Sequence, residues 1–477
     1  MDARRTTRGA VARADAPMRD LFLIGFLFSL FAMGLRRPFL LVLVYIYIDI
    51  VSPQRLTYYL LNTVPISLIA VVAAVAAWAL VDDKRDSRFT LRQGAILLLL
   101  AYCATTTFFG ADFPVEAREK WDWVWKALAF AVFLPLTLRT RLRIEALLLF
   151  MMLSLASIVI VGGIKTLFSG GGYGELNLMV TNNTGLYEGS IISAVAISAI
   201  PVILWLMQHG TIFPPDRRVQ LFGSGLIFAC LLIPVGTSAR TGLLCIALLA
   251  ILMLREVKRR VLYISVLAVA GLAVVPLLPS SYTQRMNTIR TYQGDESAST
   301  RLAVWKWTLD YATSNPFGGG FNAYLQNSVR YDLTKVEGTA HNATIEKQVT
   351  TDRARAYHSS YFEMLGEQGW PGLFLWLGIN VAGLLRMEAL RRRYRKAEDP
   401  LYWGGRLAGA LQHAHLIYLL GGAFVGIAFN PFLYQLMAAQ IGLDTYLARR
   451  TREARLKPPP GRRPLRPIVK PTAIPPL

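Results

Sequence analysis

Residues 144–163 read IEALLLFMMLSLASIVIVGG, an apolar run that carries a single charged side chain. A run of this length can cross a bilayer as an α-helix, and further apolar blocks of about 15 to 24 residues recur along the chain. Hydrophobic residues make up 54% of the 477 positions and charged residues only 17%. Helices satisfy their backbone polar groups internally, and the short alternating pattern of barrel strands is missing. The sequence therefore predicts an all-α polytopic membrane protein.

The net charge of +21 comes from basic residues clustered in short stretches between the apolar blocks. Seven stretches hold 34 of the 51 lysines and arginines. The positive-inside rule predicts this distribution for cytoplasmic segments. Nucleic-acid binding would instead favour a single basic face on a soluble domain, so we expect the bilayer as partner and no nucleic acid. The stretches are 1–20, 82–93, 139–143, 209–219, 255–260, 386–406 and 448–477.

Alternation of basic stretches and apolar runs predicts about twelve membrane passes, one of them at 260–278. The apolar stretch 21–51 is broken by Arg36-Arg37-Pro38, and we interpret it as one pass followed by a re-entrant or interfacial segment, with both arginines at the outer face. The expected organisation is a cytoplasmic basic tail at 1–20, a first membrane part at 21–278, a periplasmic loop at 279–357, a last membrane part at 358–447 and a Pro/Arg-rich cytoplasmic tail at 448–477.

Arg240 is a charged residue in an unusual place. It lies in TSARTG, residues 237–242, a tight turn between two apolar runs at the predicted outer face. A cation held at membrane depth is costly unless an anionic group pairs with it. The alternative is that the side chain reaches lipid phosphates or the carbonyls of its own turn.

Residues 300–311 of the loop predict a surface helix that Thr300 caps, with Leu302, Trp305 and Leu309 spaced for one face. Arg301 would then occupy the first turn, where the helix dipole disfavours a cation. Two interpretations remain: the guanidinium serves a bound partner, or it forms a salt bridge with an acidic residue at 295 or 296.

His358 opens the segment HSSYFEMLGEQG, residues 358–369, directly after the loop. Tyr361, Glu363 and Glu367 follow at helical spacing, and a carboxylate beside an imidazole can fix its tautomer and raise its basicity. The alternative is that His358 is a polar anchor at the membrane interface. Spacing alone leaves both interpretations open.

Four motifs in this order resemble the O-antigen ligase and polymerase superfamily of bacterial envelope glycosyltransferases. They are SARTG at 238–242, RLAVW at 301–305, NPFGGG at 315–320 and HSSYFEMLGEQG at 358–369. The N-terminal half, with LRRPF at 35–39, SPQRL at 52–56 and GGYG at 171–174, is similar to the exosortase-associated O-glycosylation ligase branch. The family commonly has Asn after the histidine, whereas this chain has Ser359, so no role for that amide carries over.

The resemblance implies transfer of a glycan from a polyprenyl (undecaprenyl) diphosphate to a hydroxyl of lipid A core or of a protein, on the periplasmic face of the bacterial inner membrane. The departing diphosphate needs a divalent metal on paired carboxylates or fixed arginines. The predicted outer face has no Asp-x-Asp arrangement, so we expect a metal-independent reaction without a cofactor, in which Arg240 and Arg301 bind the phosphates. His358 is the expected general base.

Other residues are weaker candidates for substrate binding. Glu363 or Glu367 is expected to orient the His358 ring, and the arginines are alternatively solvated or lipid-facing side chains. The full set is Arg36, Arg37, Arg285, Arg290, Arg330, Tyr361, Glu363 and Glu367.

Two other functions stay open. A polymerase would use the same donor with another lipid-linked glycan as acceptor. A transporter of lipid-linked sugars would call for internal repeats and charges near the bilayer midplane, neither of which the sequence indicates.

Overall fold

The computed structural model describes residues 3–57, 61, 64–169, 185–255, 296–337, 344–396 and 398–456. The helices before the loop are α1 (Ala3–Arg36), α2 (Pro38–Val51), α3 (Ile66–Leu80), α4 (Leu91–Phe109), α5 (Pro114–Thr137), α6 (Arg141–Ser169), α7 (Gly189–His209), α8 (Arg217–Gly236) and α9 (Arg240–Leu254). The loop contributes α10 (Glu296–Ser314) and a hairpin of β1 (Ser328–Glu337) and β2 (Thr344–Arg353). After the loop come α11 (Ser360–Arg393), α12 (Tyr402–Gly422) and α13 (Pro431–Leu456).

Local chemistry sets several helix starts. Thr90 and Gln93 form a capping box at α4, in which the Thr90 amide donates to Gln93 Oε1 at 2.9 Å. Asp216 caps α8 by accepting from the Val219 amide at 2.8 Å. Proline occupies the first helical position of α2 and of α5, where its missing N–H costs nothing.

Several described helices have the length and apolarity of membrane spans. Five of them are long enough: Leu91–Phe109, Arg141–Phe168, Gly189–His209, Arg217–Gly236 and Ser360–Arg393. Three apolar helices are shorter: Pro38–Val51, Ile66–Leu80 and Arg240–Leu254. The predicted helical multi-pass membrane protein is confirmed. The count of about twelve passes stays a prediction, and the predicted pass 260–278 lies outside the described residues.

Salt bridges mark one end of the bundle, which we name the Asp82 end. Asp82, after α3, pairs with Arg139 at 3.2 Å and with Arg143 at 2.7 Å, both beyond the end of α5. Helix α5 ends beside Arg139, so its start lies at the opposite end of the bundle. There Lys120 contacts Glu363 in the first turn of α11, and we name this the His358 end. The predicted functional residues can be assigned to one end or the other.

Arg36 and Arg37 lie at the Asp82 end. The guanidinium of Arg143 lies 5.1 Å from the ring of Phe39 at the start of α2. At the far end of α2, Tyr187 donates a hydrogen bond to the Val51 carbonyl at 2.5 Å. A helix of 14 residues separates these contacts by about 20 Å. The expectation that the two arginines lie at the outer face beside the other candidates is therefore wrong, because α2 runs toward the His358 end and not away from it.

Helix α10 begins earlier than predicted and buries a different face. It starts at Glu296, so Arg301 lies in its second turn and Thr300 is not its cap. Leu302 and Leu309 are exposed, whereas Val304, Thr308 and Ala312 are fully buried. The side chains of this buried face are small and partly polar. The face packs against other protein segments and not against lipid.

The hairpin of β1 and β2 was not expected, since the prediction was an all-α chain with a partly helical loop. The strands are antiparallel and pair Ser328 with Arg353 at the open end. Val329 is buried in a small cluster with Val304 and Tyr357. Two strands alone are marginal in water, and this cluster supplies an apolar contact with α10. The loop is therefore α+β, while the membrane part is helical.

The NPFGGG segment interlocks with the middle of the EMLGEQG segment through backbone hydrogen bonds. The amides of Gly319 and Gly320 donate to the carbonyls of Gly366 and Glu367 at 3.1 and 2.9 Å. The amide of Trp370 donates to the Pro316 carbonyl at 2.9 Å. These bonds attach the loop to α11 at the point where α11 is kinked.

Glycine is required at this interlock for two reasons. Gly318 and Gly369 have φ of +80° and +63°, and the ψ of −169° at Gly369 belongs to a region that only glycine adopts readily. A Cβ atom at Gly369 would also lie 2.2 Å from the Pro316 carbonyl oxygen. The glycine-rich motifs therefore have a structural function.

We predict that Gly369→Ala lowers the free energy of unfolding by about 1–3 kcal/mol or more, because the alanine side chain strains the backbone and clashes with Pro316. Thermal unfolding of the purified protein in detergent measures the change. Gly378→Ala is the matched control on the same helix, since a Cβ there meets nothing within 4 Å. An unchanged midpoint for Gly369→Ala would contradict the interlock.

Candidate functional site

His358 adopts a backbone conformation that is rare for a residue with a side chain. Its φ is +48°, in the left-handed region. Such a conformation costs on the order of 1–3 kcal/mol and persists only where neighbouring contacts hold it. The flanking residues Tyr357, Ser359 and Ser360 are buried, whereas His358 itself is exposed. The chain therefore turns outward between buried neighbours, and the His358 side chain is partly accessible to solvent while neighbouring atoms surround much of its ring.

Both sides of His358 are fixed by hydrogen bonds. On the N-terminal side, the indole N–H of Trp305 donates to the Tyr357 carbonyl at 2.9 Å. On the C-terminal side, the Ser360 hydroxyl donates to the Val425 carbonyl at 2.9 Å and accepts from the Ile427 amide at 2.9 Å. The histidine backbone is thus held between α10 and the segment that follows α12.

Helix α10 is seated on the start of α11 by an aromatic contact. The rings of Trp305 and Phe362 are stacked, with centroids 4.9 Å apart and planes 6° from parallel. Arg301 lies one helical turn before Trp305 and therefore on the same face of α10. This docking brings Arg301 beside His358.

The electrostatic surroundings of His358 favour the neutral imidazole. Burial of the ring by neighbouring atoms, followed by the positive charges of Arg301 and Arg355, lowers the pKa of His358 below its ordinary value. Arg355 is held by Asp352 at 2.6 Å. A lowered pKa leaves the ring unprotonated at neutral pH, so it can accept a proton.

Arg240 is the first residue of α9, and it follows a turn in which Ser238 has a φ of +52°. The turn is fixed to α7, because the hydroxyls of Thr237 and Ser193 are 3.0 Å apart in a hydrogen bond. The arginine therefore projects from a rigid helix start and not from a mobile loop.

The C-terminal end of α12 links Arg240 to the histidine. Gly421 packs against Cys245 in the second turn of α9, and the adjacent Gly422 packs against Ser360 at the start of α11. Arg240, Arg301 and His358 therefore all lie at the His358 end, as the sequence predicts. The roles of the three residues stay a prediction.

The carboxylates of Glu363 and Glu367 have another partner than His358. Lys120 of α5 lies 2.6 Å from Glu363 and 2.8 Å from Glu367. The remaining contacts go to backbone amides: Ala428 donates to Glu363 at 3.1 Å, and Asn322 donates to Glu367 at 3.0 Å. The expectation that either carboxylate orients the imidazole is corrected, because both are buried inside the bundle and share Lys120 as their cation.

Tyr361 contacts neighbouring helices, and Arg330 lies on the hairpin. The Tyr361 hydroxyl donates to the Leu419 carbonyl at 3.1 Å, and its ring packs edge-on against Trp376. Arg330 is exposed on β1, opposite Thr351 of β2. Their predicted contact with substrate stays untested.

Arg285 and Arg290 lie outside the described residues. Over the ranges that the structure does describe, no three His, Cys, Asp or Glu side chains form a group that could hold a metal ion.

Lys120 is a residue that the sequence prediction missed. It stands near the start of α5, where a single lysine reads as an interfacial side chain. One signal could have pointed to it: two carboxylates four residues apart in an apolar pass need a cation, because unpaired charge in the membrane is costly. The sequence does not say which of the many basic residues that cation is.

Two family models match the chain. Residues 225–377 match the family described as O-Antigen ligase, and residues 18–211 match a family of unknown function. No curated protein matches. Residues 225–377 contain Arg240, Arg301 and His358, so the resemblance to the O-antigen ligase superfamily is confirmed over the part that carries the predicted site. The chain is a multi-pass membrane protein whose residues 225–377 are similar to the O-antigen ligase family.

We predict that Arg301→Gln raises the pKa of His358, because it removes a nearby positive charge that disfavours the imidazolium. An NMR titration of the imidazole signals measures the shift, and His358→Gln identifies the signal. Arg452→Gln, which removes an exposed charge near the end of α13, should leave the signal unchanged. An equal pKa in the wild type and in Arg301→Gln would show that the two side chains do not interact.

Proposed function

We propose that the chain transfers a glycan from a polyprenyl diphosphate, such as undecaprenyl diphosphate, to a hydroxyl acceptor, because residues 225–377 match the family described as O-Antigen ligase. The site is at the His358 end, which in this proposal faces the periplasm of a bacterial inner membrane. The observation that carries the proposal is the left-handed turn that places His358 near the Arg301 guanidinium, whose charge helps to lower the pKa of the imidazole. A base for a hydroxyl and a cation for a diphosphate are the two groups that the reaction needs.

His358 is the proposed general base. It takes the proton of the acceptor hydroxyl while the hydroxyl oxygen attacks the anomeric carbon of the donor. The bond between that carbon and the diphosphate oxygen breaks, and the polyprenyl diphosphate leaves with the electron pair. Attack from the side opposite the leaving group inverts the anomeric carbon. The lowered pKa suits this role, since a base must be unprotonated before it can act.

Arg240 and Arg301 are the proposed ligands of the departing diphosphate. Arginine stays charged at all relevant pH values, and its planar guanidinium bonds two phosphate oxygens at once. Fixed donors aimed at a developing negative charge stabilise a transition state without reorganisation. The rigid start of α9 supports this role for Arg240. The two arginines make a divalent metal unnecessary in this proposal.

The proposed acceptor is lipid A core or a protein. The resemblance of the N-terminal half to exosortase-associated O-glycosylation ligases supports a ligase over a polymerase, whose acceptor would be a second lipid-linked glycan. Both reactions use the same donor and the same three residues, so the choice of acceptor separates them.

The main test is transfer by the purified protein. A polyprenyl-diphosphate glycan is supplied with candidate acceptors in detergent or liposomes, and the modified acceptor is detected on gels. We predict that His358→Ala reduces transfer by at least about 10²-fold, the usual contribution of a general base. His209→Ala, at the Asp82 end of α7, should retain wild-type transfer. Full transfer by His358→Ala would exclude His358 as the base.

We further predict that transfer continues at its full rate in excess EDTA. The arginine guanidinium groups, and not a metal ion, are expected to neutralise the diphosphate. The rate is compared before EDTA, after EDTA and after readdition of Mg²⁺ or Mn²⁺. Loss of transfer that either ion restores would contradict the metal-independent mechanism.

A further inference from the structure

The connection between α4 and α5 contacts the predicted periplasmic loop through several polar groups. We name residues 110–120 the α4–α5 elbow. Within it, the Asp112 amide donates to the Gly319 carbonyl at 2.8 Å. The Asp112 carboxylate accepts from the Tyr311 hydroxyl at 2.5 Å and from the Gln326 amide at 2.6 Å. One aspartate thus holds the end of α10, the glycine turn and Gln326, two residues before β1.

A second set of contacts joins the elbow to α11. Lys120 pairs with Glu363 and Glu367, and the three form a buried ion triad: the exposed fractions of the three side chains are 11%, 9% and 1%. The Lys120 ammonium also lies 5.4 Å from the ring of Phe321 and 5.6 Å from that of Phe429. Two carboxylates in these surroundings require the cation, because an uncompensated buried charge is strongly unfavourable.

The ion triad acts on the start of α11, which directly follows the histidine. Glu363 and Glu367 are five and nine residues after His358, in the first two turns of the helix. Glu363 also accepts from Ala428, and Glu367 accepts from Asn322. The triad therefore fixes the start of α11 to α5, to the segment before α13 and to the loop.

Asp112 and Lys120 each fix one of the two helices that hold the proposed site residues. Asp112 holds α10, which carries Arg301, and Lys120 holds α11, which begins beside His358. Both are in one short elbow, so the elbow sets the position of one helix relative to the other. Residues 18–211, which match a family of unknown function, contain this elbow.

We propose that the α4–α5 elbow, through Lys120 and Asp112, positions His358 against Arg301 for the transfer reaction. The proposal rests on the proposed function and assigns a role in it to the N-terminal region. Lys120 and Asp112 are positioning residues, since their contacts reach the loop and α11 and not the imidazole itself.

The test uses a variant that breaks the triad without changing its net charge. Lys120→Met combined with Glu367→Gln leaves one negative charge, as in the wild type, so direct charge effects on His358 are matched. We expect transfer to fall by about 10²-fold, because a displacement of roughly 1 Å at a reacting group costs that much. Lys306→Met, an exposed lysine of α10, is the matched control and should keep wild-type transfer.

A pH profile separates positioning from simple loss of folded protein. The groups that face His358 and lower its pKa are Arg301 of α10 and Arg355 of the preceding segment. If α10 and α11 shift apart, the pKa rises, and the acid limb of kcat/KM moves to higher pH. Fewer folded molecules would lower the rate at every pH equally. Asp112→Ala changes an exposed position. It should move the acid limb of kcat/KM in the same direction, with a smaller loss of transfer. This variant tests the positioning role even if the double variant does not fold.

Two results would overturn the proposal: wild-type transfer by both variants, or reduced transfer with an unshifted acid limb. The proposed function is judged separately by His358→Ala. An inactive His358→Ala together with wild-type behaviour of the elbow variants refutes only the positioning role. An active His358→Ala refutes the proposed function itself.

Discussion

Backbone hydrogen bonds between residues 316–320 and 366–370 are the contact on which the arrangement of the His358 end depends. They form only because glycines permit positive φ and an approach of two main chains that no Cβ allows. A loop that is attached by its main chain cannot slide along α11 as one attached by side chains can. Helix α10 therefore has one position, and with it Arg301 has one position relative to His358. The Lys120 ion triad and Asp112 add polar contacts on either side of this interlock.

His358 combines two features that oppose stability and suit a reactive group. Its left-handed backbone is unfavourable, and its ring lies beside two guanidinium groups that disfavour protonation. Neighbouring contacts hold both features in place, through Trp305 on one side and Ser360 on the other. Conformational strain and a perturbed pKa at one exposed residue are typical of functional sites. A histidine that served only as an interfacial anchor would need neither.

The sequence predicts the local properties of this chain better than its distant contacts. The length of an apolar run is a local property, and so the long apolar helices and the turn before Arg240 are found where expected. The partner of Glu363 is 243 residues away, and nothing near Glu363 indicates that it is Lys120. The direction of α2 also escapes prediction, since it depends on what Phe39 and Val51 contact. The hairpin is missed because its strands are largely polar.

The short helix α3 has a consequence for the lipid around the protein. Its 15 residues span about 22 Å, whereas the hydrocarbon core of a bilayer is about 30 Å thick. Ile69, Val72 and Val75 are exposed on its surface, so this side of the helix is available to lipid. Hydrophobic mismatch of this sign is relieved when the bilayer thins locally. Headgroups beside α3 are then drawn toward the midplane, and the protein fits a thin membrane at lower elastic cost than a thick one.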